Sequence, residues 1–155
     1  MTYDFTIMTQ EQAEKIAFTW HYENEYSFYD LEADQEDLEE FLDEEKRGNS
    51  VFAVLGDGEL AAFLTINIDE PQTVEIGLGM RPDLTGKGEG LQFIKSVIKF
   101  VQLHFQPEKI SLSVAAFNKR AIKVYRKVGF KDIGIFMQDS NGSTFEFLKM
   151  EYICD

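Results

Sequence analysis

The sequence predicts a mixed α/β fold: one domain, residues 1–155, with about seven strands in a mixed sheet and helices on both faces. Short apolar or alternating runs, typical of strands, are interleaved with segments of helical 3–4 periodicity. Their order is β-α-α-β-β-β-α-β-α-β-β, without repeats or a linker. The composition, 44% hydrophobic and 14% aromatic, is that of a chain with a hydrophobic core.

The first thirty residues predict a strand, a helix and an irregular segment. Residues 3–8 alternate between apolar and polar side chains and are expected to form the first strand. Thr9 is suited to be an N-cap, with Gln12 at the capping-box position, so a helix should run to about Trp20. Residues 20–30 are aromatic and acidic with no clear period, and we expect a loop with a helical turn.

Three more helices are predicted along the chain. Asp34 caps the first of them, which should end near Gly48. The next is long and follows a glycine-rich stretch; its apolar face consists of Leu91, Ile94, Val97, Ile98, Val101 and Phe105. Residues 118–128 form the last helix, and Gly129 ends it.

The other six strands are predicted at residues 51–55, 60–68, 73–80, 109–115, 130–138 and 144–152. Two hairpin turn signals, Gly56-Asp57-Gly58 and Asn141-Gly142, join neighbouring strands in this set. Pro71-Gln72 marks the turn before the strand at 73–80.

The charge restricts the kinds of partner. The formal net charge is −13, and residues 1–70 carry 19 acidic against 3 basic side chains, whereas residues 71–155 carry 9 against 12. Nucleic acid is not expected as a partner, because phosphate backbones need a basic face. The acidic half would attract a cation and the other half would hold an anion. A solvated acidic helix over residues 34–45 is the alternative explanation of the imbalance.

The compartment and the metal content also follow from the composition. Cys154 is the single cysteine, which excludes a disulfide framework and a Cys-rich zinc site, and we expect no metal. The N-terminus is polar, and no apolar run approaches the roughly 20 residues of a membrane span. We therefore expect a soluble, cytoplasmic protein with no membrane partner.

A glycine-rich turn between a strand and a helix is the segment most suited to chemistry. Its sequence is Gly86-Lys87-Gly88-Glu89-Gly90. Such a turn exposes backbone N–H groups at the positive end of the helix dipole, which favours an anion. It does not fit the P-loop pattern, since Gly88 stands where Ser or Thr would follow the lysine, nor G-x-G-x-x-G, since Leu91 stands at the third glycine.

Two motifs resemble those of the GNAT superfamily of acyl-CoA-dependent N-acetyltransferases. The run from Thr85 to Gly90 is similar to the family pattern Q/R-x-x-G-x-G/A, except at Thr85, and Met80-Arg81-Pro82 leads into it as in the family. The run from Asn118 to Phe130 is similar to the family helix N-x-x-A/S-x-x-x-Y/F-x-x-x-G-F. The resemblance covers residues 3–152, and its specific motifs lie at 75–91 and 118–130.

The resemblance implies acetyl-CoA as co-substrate, bound between two central strands that splay apart. Backbone groups of Leu78 and Met80 would then pair with the pantetheine arm, backbone N–H groups over residues 86–91 would hold the pyrophosphate, and Asn118 would bind the arm. The implied cofactor-binding residues are Leu78, Gly79, Met80, Thr85, Gly86, Lys87, Gly88, Glu89, Gly90, Leu91 and Asn118. Arg81 is a nearby cation. The basic residues Lys119, Arg120, Lys123, Arg126 and Lys127 either contact phosphates or form a solvated helix face.

The implied catalytic residues are Tyr125 and Glu75. A phenol near the thioester sulfur suits a general acid, because its ordinary pKa near 10 keeps it protonated; the alternative is a core tyrosine. Glu75 is the candidate base for the amine, directly or through water, and the alternative is an exposed strand glutamate.

The implied acceptor is a primary amine, either a small cationic molecule or a peptide. Tyr22, Tyr26, Tyr29 and Asp30 are expected to contact it, since aromatic faces and carboxylates both suit an ammonium group. Three alternatives stay open: a non-catalytic acyl-CoA sensor, a protein-amine acetyltransferase, and transfer of an acyl chain longer than acetyl. The oligomeric state is also open, with a homodimer as one option.

Overall fold

The computed structural model describes residues 2–70 and 72–154, apart from the side chain of Glu70. The turn predicted at Pro71-Gln72 therefore lies partly outside the described residues. The α-helices are α1 Gln10–Thr19, α2 Gln35–Leu42, α3 Glu44–Arg47, α4 Gly90–Phe105 and α5 Lys119–Val128. The strands are β1 Tyr3–Ile7, β2 Val51–Gly56, β3 Glu59–Glu70, β4 Thr73–Met80, β5 Lys109–Ala115, β6 Lys131–Ser140 and β7 Ser143–Ile153.

The seven strands form one mixed sheet in the order β1-β2-β3-β4-β5-β7-β6. All neighbours are antiparallel except β4 and β5, which are parallel. A parallel pair needs a crossover, and α4 supplies it. The predicted α/β class with a seven-strand mixed sheet is confirmed.

Local signals in the sequence account for most element ends. The Thr9 hydroxyl accepts from the Gln12 N–H, and the Gln12 side chain accepts in return from the Thr9 N–H, so the predicted capping box forms. Asn141 and Gly142 both have positive φ, as a two-residue hairpin between β6 and β7 requires. Gly129, at φ +118°, ends α5 in the left-handed region.

The helix predicted from Asp34 to Gly48 is in fact two helices. Asp34 caps α2 as expected, by accepting from the Glu36 and Asp37 N–H groups. Asp43 then accepts from two N–H groups of the following residues and starts α3. An aspartate side chain competes with the helical backbone for hydrogen bonds, so the prediction of one continuous helix was wrong at this residue.

Helices cover both faces of the sheet. On one face, α4 buries Phe93, Ile94, Val97, Ile98 and Val101 against β2–β5 and β7. On the other face, α1 and α2 pack on β2, with Ala13, Ile16 and Ala17 of α1 fully buried. Leu91 and Phe105, predicted on the buried face of α4, are only half-buried, and Phe93 takes the place of Leu91 in the core. In the part of the chain that the structure describes, no helix is long and apolar enough to cross a membrane.

Candidate active site in the gap between β4 and β5

The parallel pairing of β4 and β5 stops early and leaves a gap. The two strands pair only at Thr73–Lys109, Val74–Ile110 and Glu75–Ser111. Beyond Glu75, β4 keeps β3 as its neighbour but is no longer paired with β5. A cavity of about 550 Å³ opens there, and both strands line it. The predicted splayed pair of central strands is therefore present.

The β4 edge of the gap presents backbone polar groups. The Arg81 N–H donates to the Ala61 C=O at 2.8 Å, so Arg81 faces β3. In an antiparallel ladder the orientation alternates, which turns the N–H and C=O of Met80 towards the gap. Leu78, two residues earlier, has the same orientation. Both residues line the cavity, as does Gly79, where the ring of Phe63 occupies the space of a side chain.

The glycine-rich turn forms one end of the cavity. Gly86, Gly88 and Gly90 line it, together with Thr85 and Leu91, whereas Lys87 and Glu89 are not among the described residues that do. Gly88 has φ +82°, and a Cβ there would meet nothing within 4 Å. The turn thus offers bare backbone towards open space in front of α4, an arrangement that fits a phosphate group.

The two cations expected beside the turn are placed differently. Arg81 donates to Asp83 at 2.6 Å and to the Leu60 C=O at 3.1 Å, which ties its side chain to the protein. Lys87 lines a second cavity, of about 590 Å³, which shares Thr85 and Arg120 with the first. Arg81 is therefore a cation near the turn whose guanidinium is paired within the protein.

The cations that line the main cavity come from α5. Arg120, Lys123 and Lys127 recur at the 3–4 spacing of one helix face and reach the cavity. The Arg120 guanidinium lies 4.4 Å from the centre of the Tyr26 ring, and it packs against Gly86. Arg126 instead donates to Asp132 at 2.6 Å outside the cavity. The basic run in the sequence showed these residues, but only the structure separates the cavity-facing ones.

Asn118 lies at the other edge of the gap, after β5. Its Oδ1 accepts from the Ala121 N–H at 3.2 Å, which makes it the N-cap of α5. Its Nδ2 donates to the Tyr29 hydroxyl at 3.1 Å. The capping role is present, and the side chain also lines the cavity.

Tyr125 lies in the wall of the cavity, about two turns further along α5 than Asn118. Its ring packs on Phe130 with 5.9 Å between ring centres. Burial raises the pKa of the Tyr125 hydroxyl above its ordinary value, and the neighbouring Tyr29 raises it further. The hydroxyl therefore stays protonated at neutral pH.

Glu75 does not share this cavity. It is half-buried on β4, opposite Ser111, at the last position where β4 and β5 are still paired. It is not among the described residues that line the gap. Val74 and Ile76 on either side of it face the α4 core, so Glu75 belongs to the opposite face of the sheet. A direct contact with a group inside the gap would need the acceptor to enter from that face.

The aromatic segment, residues 20–30, lies over the gap. A few irregular residues lead into a 3₁₀ helix, Asn24–Tyr29. Tyr22, Tyr26 and Tyr29 all line the cavity, and their contact with an acceptor stays a prediction. Phe28 anchors the segment: its ring lies 4.6 Å from that of Phe145, centre to centre.

Asp30 is used inside the aromatic segment and is not among the described residues of the cavity wall. One carboxylate oxygen accepts from the Tyr22 N–H at 2.8 Å, and the other lies 3.2 Å from His21 Nδ1. Asp30 thus orients Tyr22, and its contact with an acceptor stays a prediction.

Comparison with known proteins agrees with this geometry. The profile of the Acetyltransferase (GNAT) family matches residues 13–130. The fold is similar to that of a GNAT acetyltransferase from Bacillus anthracis, with TM-score 0.73, 15% identity, and 97% and 94% of the two chains covered. It is also similar to spermidine N-acetyltransferase from Vibrio cholerae in complex with CoA and spermine, with TM-score 0.75, 18% identity, and 97% and 95% covered. No match was found among curated proteins. The chain belongs to the GNAT family of acetyltransferases.

Proposed function

We propose that this protein is an acetyl-CoA-dependent N-acetyltransferase that acts on a primary amine. Its preferred acceptor is a small cationic amine. The observation that supports this most is the gap. Where β4 leaves β5, one cavity brings together a strand edge that no neighbouring strand covers, a turn of bare glycines and a half-buried tyrosine.

The residues present fit acetyl-CoA. Leu78 and Met80 would pair with the amides of its arm in the manner of an added strand. Gly86 and Gly88 would admit the pyrophosphate to the N-terminus of α4, where the helix dipole favours negative charge. Arg120 stands beside this turn, which adds a positive charge. When bound, acetyl-CoA supplies the acyl group as a thioester.

Tyr125 would act as the general acid. Its hydroxyl oxygen holds a proton that the departing thiolate takes up, while the new amide bond forms at the amine nitrogen. The raised pKa of Tyr125 keeps this proton in place until it is needed.

The acceptor amine must also lose a proton, and the candidate base for it, Glu75, does not line the cavity. Glu75 is on the far side of the sheet from the α4 core, so we assign it the base role only for an acceptor that enters from that face, through water where necessary. The gap ends next to Glu75, so a path from one face of the sheet to the other is short.

A cationic acceptor is favoured by the charge around the aromatic segment. Glu23 and Glu25 are exposed beside the tyrosines, within an acidic half of the chain. Aromatic faces attract ammonium groups, and the carboxylates steer them towards the site. The spermine in the similar Vibrio cholerae structure is also a cationic amine, which is consistent with this proposal.

Thiol release from acetyl-CoA with a panel of amines tests the proposal. The panel contains polyamines, monoamines with no other charged group, amino acids and a peptide. Mass spectrometry identifies the acetylated product. We expect release with at least one cationic amine. CoA binding without release across the whole panel would show a non-catalytic sensor instead.

A further inference from the structure

The aromatic segment is hydrogen-bonded to both edges of the gap. On the β4 side, the Tyr22 hydroxyl donates to the Met80 C=O at 2.6 Å. On the β5 side, Asn118 Nδ2 donates to the Tyr29 hydroxyl at 3.1 Å. The two tyrosines are seven residues apart on one short segment, and together they span the point where the strands separate.

Both hydroxyls are held in place by the rest of the segment. The Tyr22 backbone is fixed by Asp30, whose carboxylate also faces His21. Tyr29 follows Phe28, which packs edge-on against it at 5.3 Å between ring centres. Burial raises the pKa of both tyrosines, so each hydroxyl keeps its proton.

The atoms that these tyrosines engage are the ones that the proposed function assigns to acyl-CoA. The Met80 C=O points into the gap, and the Asn118 amide lies at its mouth. A carbonyl oxygen can accept two hydrogen bonds and an amide nitrogen can donate two, so the competition is for position. The two tyrosines lie in the cavity against these groups, on the side where the arm would bind. Displacement of the hydroxyls by the arm would link the segment that forms the acceptor wall to the cofactor site.

We propose that Tyr22 and Tyr29 are positioning residues that compete with the pantetheine arm for Met80 and Asn118, and so lower the affinity of the empty protein for CoA. This inference rests on the proposed function. Binding of the arm then releases the aromatic segment from both edges of the gap. The acceptor wall is therefore set only once the cofactor is in place.

Removal of either hydroxyl should tighten CoA binding. In Tyr22→Phe the Met80 carbonyl loses its partner in the empty protein, whereas in the complex it regains one from CoA. The loss of this hydrogen bond therefore destabilises only the empty protein, which favours the complex. A neutral hydrogen bond of ordinary net strength corresponds to a Kd lowered about two- to tenfold for each hydroxyl. The double variant should exceed either single one.

The test is calorimetric titration of CoA into wild type, Tyr22→Phe, Tyr29→Phe and the double variant. Tyr152→Phe is the matched control: Tyr152 is a half-buried tyrosine on β7 that packs on Phe130, outside the cavity. Its Kd should equal that of wild type. Circular dichroism checks that each variant is folded, and two independent single variants guard against the failure of one.

The outcomes separate this inference from the proposed function. Tighter binding in Tyr22→Phe or Tyr29→Phe, with no change in the control, supports the competition; a purely structural role would leave binding equal or weaker. If wild type binds CoA and folded variants bind no better, the competition is wrong and the proposed function stands. If neither wild type nor the variants bind CoA, both are wrong. Binding by the variants alone would support the inference most strongly.

Discussion

The glycine-rich turn and the aromatic segment border the same cavity in opposite ways. The turn at residues 86–90 presents backbone and faces the cavity with three glycines, so its polar groups are accessible. The segment at residues 20–30 presents bulky side chains, and its hydroxyls engage Met80 and Asn118. One region admits a charged ligand without steric hindrance, whereas the other covers the gap in the empty protein. We therefore propose that cofactor and acceptor specificity are carried by separate parts of the chain.

The largest effect is expected at Tyr125, between these two regions. Tyr125→Phe removes one hydroxyl and keeps the ring that packs on Phe130. General acid catalysis is typically worth about 10²–10⁴-fold, so kcat should fall by that factor while the Kd for CoA stays unchanged. Single-turnover kinetics with acetyl-CoA and the best amine measure the loss. A fall of less than about tenfold, with chemistry rate-limiting, would remove Tyr125 from the acid role.

The turn is tested by Gly88→Val. Its Cβ projects into open space, so it meets the ligand rather than the protein. We expect the rise in Tm that CoA causes in wild type, by binding the folded state, to be lost.

Gly142→Val is the matched control for the turn. Gly142 has φ +79° and an equally open Cβ, but it lies in the hairpin between β6 and β7. Both variants carry similar backbone strain, and both should melt below wild type. Only Gly142→Val should keep the rise with CoA. An equal rise in both would place the pyrophosphate elsewhere.

The aromatic segment is tested by the charges beside it. Glu23→Gln with Glu25→Gln should raise the KM of a cationic acceptor about two- to fivefold, and wild-type kcat/KM should fall as salt rises. Steady-state kinetics at several ionic strengths measure both. Glu36→Gln with Glu40→Gln removes the same charge from α2 and should have little effect. Salt-independent kcat/KM would argue against a cationic acceptor.

The smallest effect is expected at the pair that His21 and Asp30 form within the aromatic segment. A hydrogen bond to Asp30 raises the pKa of His21, so protonated His21 stabilises the folded segment. This contribution is present below about pH 6.5, the ordinary pKa, and is lost as pH rises through the higher folded value. Because His21 is exposed, we expect its removal to change Tm by about 1 °C at low pH only. Melting curves of wild type and His21→Gln at pH 5.5 and 8.5 measure the difference; a larger difference at pH 8.5 would reverse the sign.

Much of the fold could be predicted because its signals are local. Thr9 with Gln12, Asp34 and Asn141-Gly142 each act within a few residues, and each marks an element end in the structure. Asp43 shows the limit. It lies inside an apparently continuous helical pattern, and its side chain competes with the helical backbone by capping α3.

The site was predictable only where it follows a motif. The glycine turn and Tyr125 lie in the two family motifs, and both line the cavity. The bond from Tyr22 to Met80 joins residues 58 positions apart, and no local signal encodes it. The bond from the Tyr22 N–H to Asp30 is likewise unpredictable from local signals, since it depends on how the segment folds back on itself.

The crystal structure of the protein with CoA tests the central claim most directly. We expect the pantetheine arm between Met80 of β4 and Asn118 at the end of β5, with the pyrophosphate at Gly86 and Gly88. We also expect that the Tyr22 hydroxyl no longer contacts the Met80 carbonyl. CoA bound outside the gap between β4 and β5 would contradict the account.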